Sequence, residues 1–558
     1  MAKTRYLFFI FMVAFIFIIP SIVTHKMIIG ADALFHYNRF YEAAMQIKNQ
    51  NFSNFISIYG FNQSGRVVNA LYGPFFAYFQ GFLVLISGNW FYYQLVSNVI
   101  ILLCSGYSMY GLLRYAKVTQ YLSFFYSVIF MSTYGVQYWL HNQGFSAWGT
   151  SLLPLAVIPM IELFRDRHFP IKKVAVSMAL LTQIHMLSAL MLSLIYLIFV
   201  STFAFKEHVG QVICPLVKSV VLYLCLTFNI WCNYLTIYTD NVIQMPFVNH
   251  RMSEFAVNKG GCYWLIHPII LLPVLFFNLK FVLSKKQNIN FFITLSFATS
   301  LLFLILSTSI VPWTYLVEKR FPAVMLIQFP FRFFPPFTVL FFLSGAMALQ
   351  KIRLTRRILI TIGMFSLLSV GFTLQNLTSR INQWNQQSFV NIYSSITSSP
   401  TTVRSDFFDA DLGKVLKEYV KATPDYLPIY DDKQTNKYLA YKHTILDEQT
   451  ITKKVVYGKL ELQWQGDSTK LVQLPVILYK GSQLQQDGHP IVPFSLSTIG
   501  APTIKQKLGK NVVTVTYRTP FYVTFSIISC GFMWVVTLLS SCKHFYFRKK
   551  KNLKNIYL

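Results

Sequence analysis

Charge is scarce in this chain of 558 residues: charged residues make up 12% of it, and only 20 are acidic against 49 basic. Cysteine is scarce as well. The seven cysteines fall mostly inside apolar runs and form no CxxC pair, which indicates neither a disulfide framework nor a zinc site. Cys232 and Cys262 fall on one side of the expected membrane and could pair, although free cysteines packed within the spans are the expectation. No internal repeat is present, which weighs against the repeat-related halves of many transporters. No small-residue cleavage pattern follows the first apolar run, only "PSIVTHKM", so an uncleaved anchor is expected. The one biased stretch, "YSSITSSPTTVRS", reads as a linker.

What is present is apolar. Hydrophobic residues make up 54% and aromatics 17% of the chain, the composition of a polytopic α-helical membrane protein. The net charge of +29 invites a nucleic-acid reading. Lys and Arg nevertheless recur in the short loops between apolar runs, as the positive-inside rule requires, so no nucleic-acid partner is expected.

Lys3 and Arg5 precede a first run, Tyr6–Val23, long enough to cross a hydrocarbon core of about 30 Å. Further runs are Tyr92–Leu113, Tyr121–Leu140, Ala147–Phe164, a Val174–Phe205 pair broken at "TQIHML", Leu216–Leu235, Ile266–Val282, Phe291–Ile310, Phe333–Leu349, Ile358–Phe372 and Phe521–Leu539. The segment Ala70–Gly88 is ambiguous. If it does not span, the loops "RYAK", "RDRHFPIKK", "FKEH", "LSKK" and "QKIRLTRR" and the basic tail all fall inside. Gly73, Pro74 and Gly81 also suit a cavity-lining segment. The expectation is therefore about twelve spans with both termini cytoplasmic. Residues 1–373 form the membrane domain, with a first external loop over 24–91. Residues 374–519 alternate polar and apolar positions in "KLELQWQ", "LVQLPVILYKG" and "NVVTVTYRT", the pattern of an extracytoplasmic, sandwich-like β-domain. Residues 520–558 supply the last span and tail.

Ionisable residues at membrane depth are costly and usually serve a site or pathway. In "GADALFHYNRFYEA", residues 30–43, Asp32, His36 and Arg39 share one face of a helix by their i, i+4, i+7 spacing. A carboxylate can act as base or hold a divalent cation, an imidazole can shuttle a proton, and a guanidinium can grip phosphate. His141, Asn142 and Gln143 in "YWLHNQGFSAWG", His185 in "TQIHMLSAL", and Gln328 and Arg332 in "LIQFPFRFFPPF" fall on the same expected side. Each alone is an ordinary interfacial polar residue; their collection on one side is the informative feature.

"DALFHYNRFYEAA" resembles the D-x-x-x-H-x-x-R loop of a bacterial membrane-protein family of YfhO type, related to membrane proteins described as 6-pyruvoyl-tetrahydropterin synthase-related. "LYGPFFAYF", "QIHMLSAL", "VPWTYL" with "IQFPFRF", and "NVVTVTYRTPFY" resemble its later segments, so the resemblance runs along nearly the whole chain. The arrangement also looks like the GT-C superfamily of polyprenyl-phosphate-dependent glycosyltransferases, whose first external loop carries an acid where Asp32 stands. The resemblance implies a GT-C-like enzyme of the bacterial cell membrane. It would pass sugar from a lipid-linked donor to an envelope glycopolymer, glycolipid or protein. Asp32 and His36 would be catalytic, and Arg39, His141, His185, Gln328 and Arg332 would bind substrate. Many members carry a second acid in the next external loop, where this chain has "HNQG". A divalent metal, with Asp32 and His141 as ligands, is thus left open. So are a non-catalytic envelope scaffold and a lipid or polysaccharide transporter.

Overall fold

The computed structural model describes residues 2–142, 144–207, 209–259, 264–266, 268, 271–283, 290–352, 354–386, 394–430 and 436–554. Gln143, Cys262, Arg353 and most of the "LSKK" loop lie outside the described residues. In chain order the helices are α1 (Ala2–Thr24), α2 (Ala33–Lys48), α3 (Pro74–Ser87), α4 (Trp90–Tyr115), α5 (Gln120–Ser132), α6 (Tyr134–Asn142), α7 (Ser146–Asp166), α8 (Ile171–Ile184) and α9 (Met186–Glu207). They continue with α10 (Gly210–Leu226), α11 (Phe228–Asp240), α12 (Leu271–Val282), α13 (Phe291–Leu306), the short α14 (Trp313–Glu318) and α15 (Pro322–Ile327), α16 (Phe334–Leu349) and α17 (Arg356–Asn382). A last helix covers Phe521–Lys554.

Among the described residues seven helices are long and apolar enough to cross a membrane, or up to 8 if the bent pair α10–α11 counts as one span. This fits a multi-pass membrane protein. The remaining runs of the expected layout are shorter helices. α3 has 14 residues, about 21 Å at ~1.5 Å per residue, shorter than a hydrocarbon core of about 30 Å, and packs along α2.

Two expected spans are broken. Tyr121–Leu140 divides at Thr133, whose backbone is extended, and Thr133 Oγ1 bonds back to the Phe130 carbonyl at 2.8 Å. Gln137 Nε2 donates to the Met131 carbonyl at 2.6 Å, satisfying a group the break exposes. Leu216–Leu235 divides at Thr227 with a bend of 69°. Its freed Leu226 carbonyl accepts from Gln183 Nε2 and from Trp534 Nε1 of the last helix. The break at "TQIHML" is present, with His185 extended between α8 and α9.

Beyond α17 lie ten strands: β1 (Ser394–Ile396), β2 (Tyr419–Lys421), β3 (Thr452–Val456), β4 (Lys459–Gly466), β5 (Leu471–Gln473), β6 (Ser482–Gln486), β7 (His489–Ile491), β8 (Ser495–Leu496), β9 (Pro502–Lys505) and β10 (Gly509–Tyr517). They form antiparallel sheets ordered β3-β4-β10-β6-β7, β5-β9-β8 and β1-β2. The alternation in "KLELQWQ" buries Leu460, Leu462 and Trp464 against Val513 and Val515 of β10, in a core that also takes Ile504 of β9. From Ser394 on, the "YSSITSSPTTVRS" stretch is structured rather than a linker. It holds β1 and a helix, Pro400–Asp406, because Ser399 caps that helix and Pro400 suits its first turn.

The sheet region does not close its core by itself. Ile56 and Ile58 from the loop after α2 join the β4–β10 core. Phe55, Val67 and Leu71 pack with Val420, Tyr441 and Tyr479. The region is therefore seated on the 49–73 segment, at the end of the bundle where α4, α7, α9 and α16 begin.

Candidate functional site

Asp32 occupies the cap position of α2, yet its carboxylate does not cap the helix. It turns instead to Lys421 of β2, with Oδ1 and Nζ 3.3 Å apart. The Asp32 N–H donates to the Asn142 carbonyl at 3.2 Å, fixing the start of α2 against the end of α6. This approach needs a glycine at 30, where a Cβ would lie 2.2 Å from that carbonyl oxygen.

One turn on, His36 and Arg39 are buried. Each guanidinium nitrogen of Arg39 is engaged: Nη1 with His36 Nδ1 at 3.1 Å, Nε with Asn69 Oδ1 at 3.2 Å and Nη2 with the Tyr72 carbonyl at 3.3 Å. Its Cζ also lies 4.3 Å from the Tyr72 ring and 4.8 Å from the Phe145 ring. No carboxylate pairs with it among the described residues. Burial therefore pulls Arg39 down to about 10, which still leaves it charged at neutral pH. Burial first, then the charges of Arg39, His185 and Lys421, hold His36 well below the usual imidazole range. His36 is accordingly the neutral partner of a buried cation.

Phe145 joins this group to the next. It stacks on His36 with centroids 4.5 Å apart and meets His185 edge-on at 5.7 Å. His185 Nδ1 lies 2.9 Å from Ser188 Oγ, and its Nε2 lies 3.4 Å from Ser146 Oγ. α7 and α9 come this close because position 149 is glycine; a Cβ there would lie 2.2 Å from Ser188 Oγ. Between these helices and α16 is a small cavity lined by Ser146, His185, Ser188, Arg332, Pro335 and Pro336, among others. Arg332 donates from Nη1 to the Ile327 carbonyl at 2.9 Å, while its buried Nε has no partner. Asp32, Tyr72 and Tyr426 lie within electrostatic reach of Arg332.

Of the residues singled out in the sequence, Asp32, His36, Arg39, His185 and Arg332 are brought together. His141, on α6, lines a separate small cavity with Ala33 and Tyr37 of α2 and Tyr93 and Gln94 of α4. Burial and the Arg380 charge hold it down to about 3. Gln328, in a left-handed conformation with φ 61°, donates to the Phe247 carbonyl and ties down the loop after α11. Among the described residues no three His, Cys, Asp or Glu side chains are grouped as metal ligands. Cys232 is a free, buried cysteine.

No protein-family model matches this chain, and no curated protein is similar enough to count as a relative.

Several parts of the site were not singled out in the sequence. Asn69, Tyr72 and Phe145 enclose Arg39, and Tyr72 meets Tyr426 edge-on at 5.5 Å. Lys421, Asp425 and Tyr426 come from "KATPDY", nearly four hundred residues after Asp32. Asp425 stands within electrostatic reach of Asp32, and burial raises its carboxyl above the usual range. No local pattern in "KATPDY" marks it as part of a site. Arg66 is also buried; its Nη1 donates to the Thr423 carbonyl at 2.8 Å and its Nη2 to the Asp425 carbonyl.

Proposed function

We propose that the protein is a GT-C-like glycosyltransferase of about twelve spans that works on the outer face of a bacterial membrane, with both termini cytoplasmic. It takes sugar from a polyprenyl-phosphate donor and passes it to an envelope glycopolymer, glycolipid or protein. The observation that supports this most is the convergence of a half-exposed acid, Asp32, with His36, Arg39, His185 and Arg332 where the helix bundle meets the sheet region. In this reading Asp32 takes the proton from the acceptor hydroxyl as that oxygen attacks the anomeric carbon. The leaving phosphate gathers negative charge and needs fixed cations. Arg332 has a free Nε for it, whereas Arg39 is engaged throughout and serves to position His36 and the 66–72 segment.

A second reading has its own observation. Asp32 is paired to Lys421, and Arg66 is bonded to Thr423 and Asp425, so the cluster also clamps the sheet region onto the bundle. An envelope scaffold would need no more than that.

Glycan analysis of cells carrying Asp32→Asn separates the two. A lost or altered envelope glycan, with the protein present at its normal level, supports transfer. An unchanged glycan hands the case to the scaffold. The topology is checked with Lys117→Cys, which should resist a membrane-impermeant thiol reagent added outside; labelling there would overturn the proposed orientation.

A further inference from the structure

α13 packs along the spanning helix α16 but is too short to cross with it. Its 16 residues rise about 24 Å at ~1.5 Å each, against a hydrocarbon core of about 30 Å. The chain that follows it is apolar and yet uncovered. α15 is apolar at all six positions, "PAVMLI", and none of them is buried. Ile310, Tyr315, Phe321 and Leu326 are each at least half exposed. Residues 242–258, after α11, join this stretch in one platform. Ser253 and Thr314 exchange N–H to hydroxyl bonds, both at 3.1 Å. Asn258 bonds Ser309 through both of its amide atoms, at 3.1 and 2.9 Å, and the Val257 N–H donates to the Ser307 carbonyl at 2.9 Å. Phe329 stacks on Phe247 and meets Phe255 edge-on, and the exposed Phe247 and Met245 extend the apolar face.

Irregular backbone can lie at membrane depth only where the protein satisfies its polar groups. Here it does. Trp313 Nε1 donates to the Leu306 and Thr308 carbonyls left free at the end of α13, both at 3.1 Å. Gln328 donates to the Phe247 carbonyl, and Asn249 Nδ2 to the Gln328 carbonyl at 3.0 Å. The exposed charges of the platform are Arg251, Lys259, Lys319 and Arg320 against Glu254 and Glu318, a positive balance that complements phosphate headgroups. Lys319 Nζ lies 5.5 Å from the Tyr315 ring, a pairing of the kind found where a chain meets the headgroup layer. We infer that this platform is a membrane-docking face, seated in the lipid leaflet at the end of α13. Phe321 and Leu326 enter the acyl boundary, and the basic residues hold anionic headgroups. The platform thereby supplies the depth that α13 lacks. Its partner is the phospholipid leaflet itself, and the inference does not rest on sugar transfer.

The test uses the full-length wild-type protein in nanodiscs that contain a phospholipid with a photoactivatable diazirine on its acyl chain, and adducts are mapped by peptide mass spectrometry. The exposed face of α1, with Phe8, Phe11 and Phe15, is the lipid-contact control. Leu508 is the aqueous control: it is 73% exposed just before β10, at the end of that strand away from the last helix. Residues 315–327 should be labelled well above Leu508, and more by a diazirine near the glycerol backbone than by one at the chain end, as an interfacial seat requires. Labelling no greater than at Leu508 would overturn the docking face. Cross-links from residues 315–327 to a second copy, in place of lipid adducts, would also overturn it and assign the face to an oligomer contact. Phosphatidylglycerol in place of phosphatidylcholine should raise the labelling about fivefold or more. The combined Arg251→Gln, Lys319→Gln and Arg320→Gln variant should abolish that rise, with Lys319→Gln alone as the second variant if the first does not fold. Equal labelling from the two wild-type lipid mixtures would overturn the part given to the basic residues.

Discussion

Asp32 Oδ1 lies 3.3 Å from Lys421 Nζ, joining the first turn of α2 to a strand that follows it by 389 residues. The pair is partly solvated, with the Asp32 side chain 43% exposed, so its own contribution is well under ~1 kcal/mol. The two ends of this contact can therefore be changed separately.

Lys421→Ala should lower thermal stability only slightly and leave transfer within a few-fold, whereas Asp32→Asn should cost about 10²–10⁴ in rate, the usual weight of a general base. Rates of glycan transfer in membranes carrying each variant check this. Equal defects in the two would mean that Asp32 acts as a brace.

Arg39 should behave as a structural cation. Arg39→Lys keeps the charge but cannot reach His36, Asn69 and the Tyr72 carbonyl together. The expected loss is about 2–4 kcal/mol of stability, from buried polar groups left unpaired. Transfer by the folded fraction should remain. A variant that melts normally but loses transfer would show that Arg39 acts on the substrate.

His36 gives stability a pH dependence. Its folded pKa lies well below the unfolded value near 6.5, so the folded state binds the proton less readily than the unfolded chain. Its contribution is full above about pH 6.5 and is lost as pH falls below that, at up to ~1.4 kcal/mol per unit. His141, held down to about 3, adds a slope of the same sign. Melting temperatures should be flat from about pH 7 to 8 and drop from about pH 6.5 to 4. His36→Gln should make that drop shallower by one proton's worth, and an unchanged slope would contradict the assignment.

Glu42 holds the loop that seats the sheet region. Its carboxylate accepts from the N–H groups of Ile58, Tyr59 and Gly60 at 3.1, 2.7 and 2.7 Å and from Gln46 Nε2 at 2.8 Å. Directly after it, Phe61, Asn62 and Gln63 all take left-handed backbone conformations, each costly for a residue with a side chain. Glu42→Ala should release this turn at a cost of about 3 kcal/mol or more. Hydrogen exchange should show lost protection at Tyr59 and Gly60 before any loss in the membrane helices. Uniform loss across the chain would argue against a local role.

Composition and hydropathy carried the multi-pass membrane character, because apolar length decides what can cross a bilayer, whereas among the described residues seven or eight spans, not twelve, have that length. Likewise "TQIHML" announced its helix break, and the two-residue alternation of "KLELQWQ" and "NVVTVTYRT" announced strands. The i, i+4, i+7 spacing of Asp32, His36 and Arg39 placed them on one helical face, a local property of 3.6 residues per turn. Which of them touches solvent was decided in three dimensions. Arg39 is closed off by Asn69, Tyr72 and Phe145, while Arg332 donates from Nη1 to the Ile327 carbonyl and leaves its buried Nε unpaired. The breaks at Thr133 and Thr227 persist because Gln137 and Gln183 satisfy the exposed carbonyls. The pairing of Asp32 with Lys421 is likewise tertiary. No periodicity links residues so far apart; only the shared cores that seat the sheet region on the 49–73 segment bring the two charges together.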